Sequence, residues 1–455
     1  MGKLLIKNGL VVTIDPQDRI IRNGSIYVED SMIRAVGPAA EVGGKEGAEV
    51  IDASGKIVIP GFISCHNHLY SAVVRSIPFS GFEKTDFSFY GWMERFWLPL
   101  LEDRVTHEQL YVGTKANLLE HIRSGITTTT DTAEGPYALP GVLDAVDQGA
   151  VESGARAILS FETTGRVSAE NALLGIEENV RFFKQAKARN SRITGRIGVH
   201  TTYTTTPELL QEVRRVADQV GAGVMMHHLD DRWHHFDTTK RFGKRPTRYL
   251  EDIGFLRPDL ILFHCSYIDP LDDPEIFKRH DVKVAHNAES NAIFGFWPNM
   301  MPLIKAGVTV GLGTDGQTHS MFEIMRTAQM IHRIRYENLE LLPDYDVLKM
   351  ATIEGAKVIQ QEHELGSLEA GKKADITILN DRSTVPLFEA NVSSYVVGTC
   401  ERTDVDTVVI DGDVIFKNHE FVSVDEHETL AKCRETAVKL WERNGWPTPD
   451  HPAKN

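Results

Sequence analysis

The sequence predicts an α/β protein: a closed (β/α)8 TIM barrel with a small composite β-sandwich domain built from both ends of the chain. Three observations carry that reading. Apolar strand patterns alternate with helical patterns eight times through the middle of the chain. Both ends instead carry short alternating strands separated by turn residues. Titratable side chains recur where each of the eight middle strands ends, the position at which such barrels carry their chemistry.

The N-terminal strands are expected at 4–7, 10–14, 24–28 and 33–37, separated by Asn-Gly, Asp-Pro and Glu-Asp turns. Residues 374–379 and 405–416 read the same way, with a tight hairpin about Asp411-Gly412. The composite β-domain is therefore assigned to 1–57 and 366–425, and the barrel to 58–365. Residues 426–455 are assigned to an amphipathic helix (426–443) and a loose tail. The barrel strands are expected at 61–65, 126–130, 156–161, 196–199, 223–226, 260–263, 282–285 and 308–313, with helices between them such as 106–124, 207–220 and 320–335. The alternative for the middle is a doubly wound open sheet, which would gather its site at a single crevice.

The chain has 455 residues, 42% of them hydrophobic and 25% charged, enough for one large domain and a small one. A net charge of -15 argues against nucleic acid or anionic membrane as a partner. Cys65, Cys265, Cys400 and Cys433 form no CxxC pair and read as reduced thiols. Residues 1–9 read as a strand, neither signal peptide nor membrane helix, so the expected location is cytoplasmic.

Chemistry concentrates at the strand ends. Strand one ends in His66 and His68, one residue apart on one face, as half of a first-row metal site would be. The following strands reach Asp131, Glu162, His200, His227 and His228, His264, His286 and Asp315 in turn. Burying so many polar groups on one face is costly unless a ligand or metal satisfies them. Other histidines, including His121 and His332, fall on helices and read as surface or structural. His234 and His235 read as residues of the loop after strand five, with a place behind the site as the alternative. Glu162 reads as a helix cap and His286 as a brace at the barrel mouth. The basic group Arg232, Lys240, Arg241, Lys244, Arg245 and Arg248 reads as a solvated helix face. Aromatic residues crowd the segment after strand one (Phe79, Phe82, Phe87, Phe89, Tyr90, Trp92, Phe96, Trp97) and the segment after strand seven (Phe294, Phe296, Trp297). Most should pack loops, and one or two should stack on a flat ring.

Several motifs point further. They are Pro60-Gly61-Phe62-Ile63-Ser64-Cys65-His66-Asn67-His68, Ser124-Gly125-Ile126-Thr127-Thr128, Val199-His200-Thr201-Thr202-Tyr203-Thr204, Phe263-His264-Cys265, His286-Asn287-Ala288-Glu289-Ser290-Asn291, Gly311-Leu312-Gly313-Thr314-Asp315-Gly316 and Leu365-Gly366-Ser367-Leu368. On these the chain, over roughly residues 3–420, resembles the amidohydrolase superfamily, in the branch of guanine, cytosine and adenosine-type deaminases and triazine hydrolases. The resemblance implies one divalent metal ion per chain, zinc first and iron second, held by His66, His68, a strand-five histidine and Asp315. It implies that His264 polarises substrate and water.

Strand five departs from the family's His-x-x-Glu. Here it reads Met225-Met226-His227-His228-Leu229-Asp230-Asp231, pairing either His227 with Asp230 or His228 with Asp231. Alternation favours His227, since Val224 and Met226 then face the outer helices. Either way Asp stands where the family has Glu. The expected activity is hydrolytic deamination of an amino-substituted purine, pyrimidine, pterin or triazine by metal-bound hydroxide, with Asp230, His264 and Asp315 catalytic and His200, Tyr203 and Arg75 on the substrate. The alternatives are a chloro-triazine dehalogenase, a cyclic amide hydrolase and a non-catalytic scaffold. The expected partners are a small heterocycle and further copies of the chain in a homodimer or higher homo-oligomer.

Overall fold

In the computed structural model, which describes residues 2–77 and 88–451, the eight middle strands lie parallel and side by side in chain order. They are Phe62–Asn67, Ile126–Ala133, Arg156–Thr163, Ile197–Val199, Val224–His228, Leu260–His264, Lys283–His286 and Val310–Leu312, called barrel strands one to eight below. A short piece, Ile193–Gly195, pairs with strand three just before strand four. After strand eight the amides of Thr314 and Asp315 both donate to the His66 carbonyl at 3.0 Å. The first and last strands thus meet, and the sheet is a barrel, not an open crevice.

Every residue of these eight strands is buried, as expected when helices cover a parallel sheet from outside. Ile63, Cys65, Ile158, Met225, Ile261, Phe263 and Ala285 form the inner core. Val224, Met226, Leu262 and Val284 belong to the outer core against the helices. The helices begin and end where local chemistry dictates. His107–Arg123 opens on a capping box between Thr106 and Gln109. Pro207–Val220 has Thr206 as cap, proline at its start and Gly221 at φ 70° as its stop.

The two chain ends build one mixed nine-stranded sheet: Lys3–Val12, Ile20–Glu29, Met32–Pro38, Glu49–Asp52, Lys56–Pro60, Ile376–Asn380, Val405–Ile410, Asp413–Lys417 and Glu420–Phe421. It closes around its own apolar core of Leu4, Ile6, Val58, Ile376, Ile378 and Val409. The two ends are joined in one composite domain, as expected, because Lys56–Pro60 pairs with both the N-terminal and the C-terminal strands. That strand runs to Pro60, so the sheet reaches beyond residue 57. Asn8-Gly9, expected as a turn, is a bulge inside one long strand. Asn8 takes φ 67°, and a side chain on Gly9 would meet Val58 Cγ2 at 2.7 Å.

The sheet sits at the base of the barrel. Gly61 joins the two, its amide donating to Asp375 O at 2.9 Å. Arg156, at the start of strand three, makes two hydrogen bonds to the Asp375 carboxylate at 2.9 and 3.0 Å. The last helix, Glu426–Arg443, continues to Asn444, which donates to Leu100 O at 3.0 Å, and to Trp446, stacked on Phe96 at 5.6 Å. No helix among the described residues is long and apolar enough to cross a membrane.

Candidate active site

The opposite end of the barrel carries the chemistry. Strand one bulges between Ser64 and Asn67, three steps against two on strand two. The bulge breaks the alternation, so Cys65 lies in the inner core while His66 stacks on inward-facing Phe263 at 3.9 Å. His66 is fully buried, and neither ring nitrogen has a hydrogen-bond partner among the described residues. His68 leaves the strand end with Nδ1 3.0 Å from the Thr132 carbonyl. That contact puts the ring proton on Nδ1 and the Nε2 lone pair toward the centre.

On strand five Met225 lies in the inner core and Met226 in the outer, so alternation carries His227 inward. His227 Nε2 is 3.3 Å from His68 Nε2. His228 faces the other way, its Nε2 3.1 Å from Thr247 Oγ1 and its ring beside Phe277. Asp315 Oδ1 stands 3.7 Å from His66 Nε2 and 3.6 Å from His68 Nε2. Asp315 Oδ2 accepts from Ser290 Oγ at 2.6 Å and lies 3.7 Å from His264 Nε2. His264 Nδ1 faces Asn291 Oδ1 at 2.9 Å, which leaves its Nε2 to the cavity.

These separations can be tested against a metal. Four ligands at about 2.05 Å from one tetrahedral ion stand about 3.3 Å apart. The spacings of 3.3, 3.6 and 3.7 Å among His227, His68, His66 and Asp315 come close to that. Burial and neighbouring rings hold His66 and His227 well below the usual imidazole range, so each keeps the neutral form that offers a lone pair. The donor set, three nitrogens and a carboxylate with a fourth histidine beside them, fits a divalent ion.

Around this group stand carboxylates that the sequence did not single out or placed elsewhere. Strand two runs on to Ala133, and Glu134 beyond it lies in the cavity wall. Its Oε2 accepts from Tyr70 OH and from Trp97 Nε1, and its Oε1 is 3.2 Å from His68 Nδ1. Asp131, the expected end of strand two, instead caps the Leu69 amide at 2.6 Å. Glu162 is no helix cap: it lies 3.2 Å from His200 Nε2 and 3.7 Å from His227 Nδ1. Burial, then neighbouring carboxylates, pushes both Glu134 and Glu162 well above the ordinary range. Such a group of buried acids calls for positive charge among them.

Asp230 follows strand five and lines the same cavity as His68, His200, His227, His264 and Asp315. His234, expected in a loop, is on the helix Trp233–Phe242 and pairs with Asp230. Burial alone would raise the Asp230 carboxyl, but His234, with His264 and His227, holds it well below its ordinary range. His200 has both ring nitrogens occupied, by Glu162 and by Thr204 Oγ1 at 3.0 Å, and burial lowers its pKa to about 3. Tyr203 stands behind Asp230 with its ring edge to His234, and Arg75 pairs with Glu120, its Nε reaching Gly316 O at 3.4 Å. Neither Tyr203 nor Arg75 is among the described residues lining the cavity. His286, expected at the mouth, points behind the sheet to His332, ring to ring at 5.2 Å.

Phe89, Trp92, Trp97, Phe294 and Phe296 wall the cavity, which opens into a wider aromatic vestibule of about 720 Å³. Tyr90 stacks on Trp233 there at 4.0 Å. Phe79, Phe82 and Phe87 lie outside the described residues. Arg241, Lys244, Arg245 and Arg248 are paired with acidic neighbours, so they offer no anion site.

A closed barrel with a histidine and aspartate group at the C-terminal mouth of its strands defines a class, the (β/α)8 hydrolases that use a metal ion. Residues 57–415 match the family described as Amidohydrolase family. A 5'-deoxyadenosine deaminase of Methanobrevibacter smithii is 32% identical over 448 residues, covering 96% of this chain and 98% of the relative. A 5-methylthioadenosine/S-adenosylhomocysteine deaminase of Syntrophomonas wolfei is 31% identical, covering 96% of this chain and 99% of the relative. The fold is shared with a zinc-bound adenosine deaminase from Xanthomonas campestris, with a TM-score of 0.85, 23% identity and coverage of 96% of this chain and 98% of that one. An atrazine chlorohydrolase from Arthrobacter aurescens, complexed with zinc, superposes with a TM-score of 0.81 at 22% identity, covering 95% of this chain and 100% of that one. The chain belongs to the amidohydrolase family.

Proposed function

We propose that this protein is a zinc-dependent aminohydrolase that exchanges the exocyclic amino group of an adenine-type nucleoside for oxygen and releases ammonia. The observation that carries the reading is the convergence of His66, His68 and His227, with Asp315 Oδ1 within 3.7 Å of His66 and 3.6 Å of His68, beside Asp230 and His264 at one cavity. Full-length similarity to deaminases of adenine nucleosides favours that substrate among amino-heterocycles.

In this reading His66, His68, His227 and Asp315 hold one ion, whose Lewis acidity makes a water nucleophilic near neutral pH. The Thr132 carbonyl fixes the ring proton of His68 on Nδ1, which leaves Nε2 as its donor nitrogen, and Glu162 stands 3.7 Å from His227 Nδ1. His264, its Nδ1 held by Asn291, presents Nε2 to the water and to the oxygen of the collapsing adduct. Asp315 takes the water's first proton. Asp230 carries a proton to the departing nitrogen. The aromatic walls exclude water and offer flat faces to the ring. His200, backed by Glu162 and Thr204, orders the substrate side of the cavity. Tyr203 supports Asp230 and His234 from behind, and Arg75 ties the loop after strand one to Gly316.

Zinc-loaded protein incubated separately with 5'-deoxyadenosine, adenosine and a chloro-triazine tests this directly. The expected result is ammonia from the nucleosides, with about one zinc per chain by elemental analysis. Chloride from the triazine with no ammonia from any amino-heterocycle would replace the deaminase reading with the dehalogenase one. Two tightly bound ions per chain would overturn the mononuclear reading.

A further inference from the structure

The carboxylate after strand five is held, not free to swing. Leu229 takes φ 52° and turns the chain out of the strand. Asp230 Oδ1 then meets His234 Nε2, and the Asp231 amide donates to the same oxygen at 3.0 Å. No partner engages Oδ2 among the described residues, and Asp230 lines the catalytic cavity. His234 is fully buried. The Leu229 amide approaches its Nδ1 at 3.4 Å, and its ring is edge-on to Tyr203 at 4.9 Å. A ring so enclosed keeps one orientation. Aspartate is one methylene shorter than glutamate and has one fewer torsion, so its reach depends on how it is seated.

We propose that His234 is a positioning residue for proton transfer. It pins Asp230 through Oδ1, keeps Oδ2 on the reacting side, and makes the strand-five shuttle a two-residue unit. The inference rests on the aminohydrolase reading above. In the step it serves, water oxygen has added to the ring carbon and the water's first proton has passed to the adjacent ring nitrogen. The Asp230 carboxylate takes the adduct's hydroxyl proton on Oδ2 and passes it to the amino nitrogen. The C–N bond breaks with its electron pair on nitrogen, the C=O bond forms, ammonia departs, and Asp230 is again a carboxylate. His234 keeps its own proton throughout.

The test uses zinc-loaded full-length protein, a 6-aminopurine nucleoside and its 6-chloro counterpart, whose chloride leaves without a proton. His234→Ala should lower kcat on the amino substrate by about 100-fold, with KM changed less than about threefold. On the chloro substrate the same variant should lose less than about fivefold, and zinc content should not change. His234→Gln, which restores an N–H donor, should recover most of the amino-substrate rate. Equal losses on both substrates, loss of zinc, or an unchanged kcat in His234→Ala would each overturn the proposal. If the wild type turns over neither substrate, the aminohydrolase reading fails by itself. The positioning claim is then decided by crystal structures of zinc-loaded wild type and His234→Ala. Asp230 in the same rotamer in both overturns it, and a displaced Asp230 in the variant supports it.

Discussion

His227 and His228 are neighbours in sequence and are separated by the sheet itself. One faces His68 at 3.3 Å and the other Thr247 at 3.1 Å. His227→Ala should therefore lower zinc affinity by about 100-fold or more, while His228→Ala keeps about one zinc per chain. A competition titration with a chelator reads both, and the reverse result would mean that strand five is one residue out of phase. On the proposed mechanism Asp315→Asn keeps an oxygen ligand and removes the base, so turnover should fall by about 10³-fold or more while part of the metal stays bound. Alternation made His227 legible in the sequence, because Val224 and Met226 are apolar and outward. Glu134 was not legible: it lies one residue past the end of strand two, and nothing local distinguishes it from Asp131. Glu162 was visible as a residue, but its role depends on His200 and His227, which come from two other strands.

Elements were legible where periodicity is strong. The helices and the Asp411-Gly412 hairpin fall within a few residues of expectation, with Asp411 at φ 54° and Gly412 at φ 83°. They were less legible where backbone geometry decides. Asn8-Gly9 has the composition of a turn but sits in a bulge, and the strand-one bulge that turns His66 inward leaves no mark in composition. Gly61 is the most exacting of these joints. A Cβ there would lie 2.2 Å from both Thr127 Oγ1 and Cγ2. Gly61→Ala should destabilise the protein by about 1–3 kcal/mol or more, read as a lower urea midpoint at unchanged slope. A midpoint equal to wild type would show that strand two can yield at Thr127.

Over the whole molecule, the base of the barrel holds the fold together and the mouth does the chemistry. Arg156 and Asp375 are both buried and join barrel to sheet. Asp375→Ala strands the guanidinium and should cost about 3–5 kcal/mol without changing KM. Acid acts through a different set of groups. His121, His228 and His286 are held well below the ordinary imidazole range, chiefly by burial. The unfolded chain protonates them below about pH 6.5 and the fold does not, so stability present above that pH is lost as pH falls. His286, with neither ring nitrogen partnered among the described residues, should be the clearest case. His286→Phe should lose less Tm than wild type between pH 7.5 and 5.5, as measured by calorimetry on metal-free samples. The clip formed by Asn444 and Trp446 acts over a longer range. It grips Leu100 and Phe96, beside Trp97, which donates to Glu134 in the cavity wall. In a random library selected for new substrates, winners should therefore recur around residues 444–446, far along the chain from the cavity wall. A recombination scheme that treats that stretch as a neutral crossover would discard a lever on selectivity.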